Sequence, residues 1–111
     1  MELENLRITV SEYGTNENGL EELLRDFEAA CLRYLAVRSD HIYKKYTTKP
    51  VELIAEADQN RTRAHDNLIS CYRGLLRNIN KYVEQPFTVL EDRKRIGEKG
   101  LQYALQLLLK M

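Results

Sequence analysis

Asp58, Arg61 and His65 are the residues of this chain whose types and spacing come nearest to a reactive site. Positions i, i+3 and i+7 share one face of a helix, so a carboxylate, a guanidinium and an imidazole can meet there. Such a set could move a proton through the imidazole while the guanidinium steadies a phosphate. The same groups can equally form a closed polar layer that fixes the register of packed helices. Arg38 joins them if the preceding helix folds back, since it then comes level with residue 59 and can pair with Glu56 or Asp58. The candidate set is therefore Arg38, Asp58, Arg61 and His65, and the polar layer is the reading adopted. A catalytic role is kept as the alternative, for Arg61 and His65 alone. Ser39-Asp40-His41 is contiguous, and adjacent helical residues point in different directions, so it is no evidence for a triad.

The two readings predict different mutants. In a polar layer, His65→Gln keeps hydrogen-bonding capacity and costs about 0.5–2 kcal/mol, the range of ordinary single changes. Arg61→Ala costs more if the arginine is buried, because its carboxylate partner is left unpaired.

The element that must position these groups is the stretch from Pro50 to Val83. Pro50 suits the first turn of a helix, and Pro86 forbids continuation past the far end. Ile54, Ala57, Ala64, Leu68, Tyr72, Leu75, Ile79 and Tyr82 recur at three, four or seven, which is a helical stripe. Upstream, Leu20, Leu23, Leu24, Phe27, Cys31, Tyr34, Leu35 and Ile42 keep the same period. Asn18 or Gly19 starts that helix, and Thr47-Thr48-Lys49 is a tight connection. Downstream, Thr88 with Glu91 fits a capping box for a third helix through Ile96, Leu101, Ala104 and Leu108. The spacing thus predicts an all-α fold, an antiparallel three-helix up-down-up bundle with helices over about 19–46, 50–84 and 88–110. Residues 1–17 form a short arm, with Leu6-Arg7-Ile8-Thr9-Val10 also readable as a strand. Residues 1–111 make one helical domain.

The run Arg61-Thr62-Arg63-Ala64-His65-Asp66-Asn67-Leu68-Ile69, followed by Leu75-Leu76-Arg77-Asn78, resembles small helical proteins of bacteria and their phages that have no assigned function. That resemblance implies an all-helical fold and a bacterial or prophage origin, and it brings no catalytic residues. Arg61-Thr62-Arg63-Ala64-His65 also resembles the arginine-then-histidine pattern of helical ribonucleases of toxin modules, at a shorter spacing than that family uses.

Composition narrows the classes. Seventeen basic and seventeen acidic side chains cancel, which argues against a dedicated nucleic-acid binder and offers little protection against self-association. No apolar run reaches the roughly 18–20 residues of a membrane span. Met1-Glu2-Leu3-Glu4-Asn5 lacks a signal peptide's basic start, so the cytoplasm is expected. Two cysteines and two histidines without metal-ligand spacing predict no metal site and no cofactor. Cys31 and Cys71 fall at apolar positions and are expected to be two reduced, slowly reacting thiols. Long apolar stripes and an apolar turn at Leu105-Gln106-Leu107-Leu108-Leu109 point to a non-enzymatic protein that pairs as a homodimer and binds a protein partner.

Overall fold

The computed structural model describes residues 3–47 and 50–110. The expected connection at Thr48-Lys49 lies outside the described residues. A single 3-10 turn (Leu3–Asn5) leads into α1 (Leu6–Tyr13), α2 (Leu20–Thr47), α3 (Val51–Ile79) and α4 (Arg93–Leu109). The three long helices pack together, and no strand occurs among the described residues.

Of the arm expected at residues 1–17, the stretch from Leu3 to Tyr13 is helical and not a strand. Leu6, Thr9 and Val10 are buried, whereas Ile8 is 60% exposed. Inward positions three and four apart mean that α1 packs with a helical period, and the apparent alternation of Leu6, Ile8 and Val10 misleads. A turn over residues 14–19 follows. Asn18 closes it by accepting from the Thr15 and Leu20 N–H groups and donating to the Tyr13 carbonyl. Gly19 takes φ +69°, a conformation that a side chain would strain, and its carbonyl accepts the first bond of α2.

Paired residues give the directions of the long helices. His41 meets Asp58, Tyr34 meets His65, and Phe27 meets Tyr72, so α2 and α3 run in opposite directions. Gly97 lies against Tyr34 and His65, Gly100 against Leu68, and Tyr103 against Phe27. Residue numbers rise together on α3 and α4 and fall on α2. These contacts make α4 parallel to α3, which departs from the expected up-down-up order.

The cause is the segment 80–92. It was expected to continue the second helix to residue 84 and to start the third at 88. Instead α3 ends at Ile79, where the Asn80 side chain turns aside to bracket the Phe87 backbone, accepting its N–H at 2.8 Å and donating to its carbonyl at 2.9 Å. The chain then returns along α3. The Tyr72 hydroxyl accepts from the Leu90 N–H at 2.8 Å and donates to the Thr88 carbonyl at 3.4 Å. Thr88 therefore does not cap α4. Asp92 does, accepting from the Lys94 and Arg95 N–H groups.

Because the chain has returned before α4 begins, Gly97 of α4 is level with Tyr34 and His65, and its first turn reaches just past them. Beyond that turn α2 and α3 continue as a bare two-helix hairpin for about 14 Å at 1.5 Å per residue. The molecule measures 52 × 29 × 23 Å. Its core lies at the opposite end, around Phe27, Leu68, Tyr72, Leu75, Ile96 and Ala104.

Candidate functional site

Three of the four expected residues come together. On α3 the Arg61 guanidinium donates to one Asp58 oxygen through Nε at 3.1 Å and Nη2 at 2.9 Å. His41, arriving from α2, brings Nε2 to 3.8 Å from the same carboxylate oxygen. One turn further, His65 lays its ring against Tyr34, with centroids 5.1 Å apart and planes 49° to each other. Tyr34 also favours the charge on Arg61, after Asp58. Next to His65, Asp66 pairs with Arg93 at the start of α4. Arg38 is not a member. Its side chain is exposed, and among the described residues no hydrogen bond or ion pair ties it to the layer. His41 takes the place on α2 that Arg38 was expected to fill, one helical turn further along.

The layer is half-wet. The Arg61 and Asp58 side chains are 32% and 50% exposed. Hydrogen bonding to Arg61 holds the Asp58 carboxyl below its ordinary value. Two of the three guanidinium nitrogens are thereby engaged within the chain. Burial lowers His65 below its ordinary value, opposed by the Arg93 backbone. Its imidazole is therefore neutral at pH 7, and Gly97 covers it closely enough that a Cβ there would sit 2.6 Å from Nε2. A substrate phosphate would have to share Arg61 with Asp58. An open groove of about 400 Å³ exists, lined by Asp26, Ala29, Ala30, Arg33, Asn67 and Cys71, and neither Arg61 nor His65 borders it.

These environments revise the mutant expectations. A half-exposed ion pair is screened and contributes little, so Arg61→Ala should cost less than a buried arginine would. His65→Gln should cost about 0.5–2 kcal/mol, because the ring loses Tyr34, and thermal melts should place it below Arg61→Ala. The unfolded chain binds a proton at His65 at higher pH than the folded one does. The stability this residue contributes is thus fully present above its unfolded value of about 6.5 and is lost as pH falls towards the folded value. Melting of His65→Gln should accordingly decline less than wild type between pH 7 and 5.

A second polar network was missed in the sequence. Glu28 on α2 accepts from Arg7 Nε at 2.6 Å and Nη2 at 3.0 Å, and from the Tyr103 hydroxyl at 2.6 Å. It ties α1, α2 and α4 together. Burial, then Glu28, pushes the Tyr103 hydroxyl up, so it remains a donor. The signal was present: Glu28 interrupts the apolar line between Leu24 and Leu35 at four and seven residues. Its partners are 21 and 75 residues away in sequence, which no local pattern connects.

The cysteines are both free but not equivalent. Cys31 is fully buried, and burial pushes its thiol up. Cys71 is half-buried, borders the groove, and lies 3.9 Å from the Asn67 side-chain oxygen. The expectation of two slowly reacting thiols is refined to an ordered pair. A thiol reagent should label Cys71 first and reach Cys31 only on unfolding.

The fold and its layers define an all-helical protein with two inter-helix polar networks. Among the described residues, no group of three His, Cys, Asp or Glu side chains could hold a metal ion, and no helix is long and apolar enough to cross a membrane. No family model, curated protein or solved structure matches the chain.

Proposed function

We propose that this chain is a non-enzymatic helical interaction protein of the bacterial cytoplasm, which self-associates as a homodimer and presents a helical face to a protein partner. The observation that carries this reading is the bare hairpin. Beyond the start of α4, Ile42, Tyr43, Tyr46, Val51 and Leu53 are exposed, Tyr46 by 77% and Val51 by 72%. Among the described residues from 35 to 47 and from 51 to 64, only Val37, Ala57 and Ala64 are buried. Two helices with so small a shared core are weak alone, since helical stability comes mainly from packing an apolar face. An exposed patch of this kind marks an interaction site. The ribonuclease alternative for Arg61 and His65 has less support, because Arg61 is engaged by Asp58 and His65 is stacked on Tyr34 beneath Gly97.

Association adds stability that depends on protein concentration, so the melting temperature tests the reading. It should rise measurably over a hundredfold increase in concentration. A melting temperature independent of concentration, together with cleavage of RNA by the wild type and not by His65→Gln, would replace this reading with the enzymatic one.

A further inference from the structure

The open groove of about 400 Å³ is of the size that small ligands occupy, and its lining is chemically sorted. It runs between α2 and α3 on the flank of α2 turned away from α4. Ala29 and Ala30 form the α2 wall, and Asp26 and Arg33 stand at its two ends. Those two are seven residues apart, so their side chains leave nearly the same face of α2 about 10 Å apart along the axis.

Across the groove, α3 supplies Asn67 and Cys71. The pairs Tyr34 with His65 and Phe27 with Tyr72 set Asn67 level with residue 32 and Cys71 level with residue 28. The Asn67 amide is therefore at the Arg33 end. Cys71 lies towards the other end, where the Asp26 carboxylate adds to burial in raising its thiol. The thiol donates to Asn67 Oδ1 at 3.9 Å, which uses the oxygen of the amide and leaves its N–H groups without a partner among the described residues.

Neither end charge is paired. Ion partners on one helix stand three or four residues away. Around Arg33 those positions hold only alanine and valine, and around Asp26 only alanine, leucine and Glu22. Among the described residues, no hydrogen bond or ion pair engages either side chain. A free cation and a free anion are thus held apart along a wall of alanine.

We propose that this groove binds an elongated zwitterion, a carboxylate and an ammonium separated by a short aliphatic chain. The carboxylate accepts from the Arg33 guanidinium and the Asn67 amide, the ammonium donates to Asp26, and the aliphatic chain lies on Ala29 and Ala30. An arginine fork matches a carboxylate with two parallel hydrogen bonds. A molecule with one charge satisfies one end only, so discrimination comes from the pair. A free ω-amino acid carries this chemistry, and so does a lysine at the carboxy-terminus of a peptide. The groove lies clear of the bare hairpin, so its occupancy and self-association stand or fall separately.

Amide NMR of the full chain, titrated with 6-aminohexanoate, tests the site. Amides of residues 26–33 and 67–71 should shift saturably, with a dissociation constant of roughly a millimolar. Hexanoate and hexylamine, each with one of the two charges, should bind at least about tenfold more weakly. Arg33→Gln and Asp26→Asn should each weaken zwitterion binding by a comparable factor. Both side chains are exposed, so the far-UV spectrum should not change. A peptide of three glycines ending in lysine, if it binds more tightly than 6-aminohexanoate, assigns the groove to a peptide end; the reverse order assigns it to a free ω-amino acid. Shifts that do not saturate, equal binding of hexanoate or hexylamine, or binding kept by both variants would overturn the proposal.

Discussion

Phe27→Ala is expected to lower stability by about 3–5 kcal/mol, the cost of emptying a large aromatic site in a core. Phe27 is fully buried on α2, with its ring centroid 5.4 Å from Tyr103 of α4 and 6.2 Å from Tyr72 of α3. Removing it takes away the contact that all three long helices share. Native domains hold only about 5–15 kcal/mol in total, so the variant should melt roughly 15–25 °C below wild type. Tyr46→Ala supplies the contrast. Its ring is 77% exposed, and truncation should leave the stability of the monomer nearly unchanged. Denaturant titration of both variants under dilute conditions checks this. Equal losses would mean that the tip and the base share one core, against the description above.

Gly100→Val is the second large effect. A Cβ at Gly100 would lie 2.5 Å from Leu68 Cδ1, and Leu68 is fully buried with nowhere to retreat. Overpacking of this kind costs about 1–3 kcal/mol, and valine should fall at the upper end because its branched side chain is stiff in a helix. Gly97→Ala should behave differently. The Cβ meets His65, a half-exposed side chain that can swing towards solvent, and alanine gains about 1 kcal/mol of helix propensity over glycine. Thermal melts should place Gly97→Ala within a few degrees of wild type and Gly100→Val well below it. A Gly100→Val protein as stable as wild type would show that α4 does not approach α3 this closely.

Much of the helical content was legible in the sequence, because its signal is local. The period of Phe27, Cys31, Tyr34 and their neighbours, and that of Ala64, Leu68, Tyr72 and Leu75, mark faces that the structure does bury. The direction of α4 was not legible. It depends on Asn80 folding its amide onto Phe87 and on Tyr72 holding Leu90, contacts made across loops by residues that look helical in sequence. Thr88 with Glu91 looked like a cap because a capping box is defined by spacing alone. Asp92 took the role once Val89 and Leu90 had packed against the core.

The polar layer was legible in part for the same reason. Asp58 and Arg61 share one helix face, and their pairing follows from spacing. His41 and Tyr34 enter from another helix, so their register with α3 had to be seen. Arg38 was placed by counting back from a turn centred near residue 48, which put residue 59 opposite it. The observed pairs set residue 61 at that level instead, and His41 opposite Asp58. Val37 takes the inward position on α2, so Arg38 is turned about 100° away from it, and the residue level with it is a second arginine.

Amide hydrogen exchange on the full chain tests most directly whether the bare hairpin is completed by a second copy. Exchange reports local opening, and helices packed on one face only open more readily than those in a core. In a concentrated sample, amides of residues 40–47 and 51–58 should be protected. On dilution below the dissociation constant they should exchange much faster, while those of residues 27–34 and 68–76 stay slow. Tip amides equally protected at every concentration would contradict the account, because the hairpin would then need no partner to hold it.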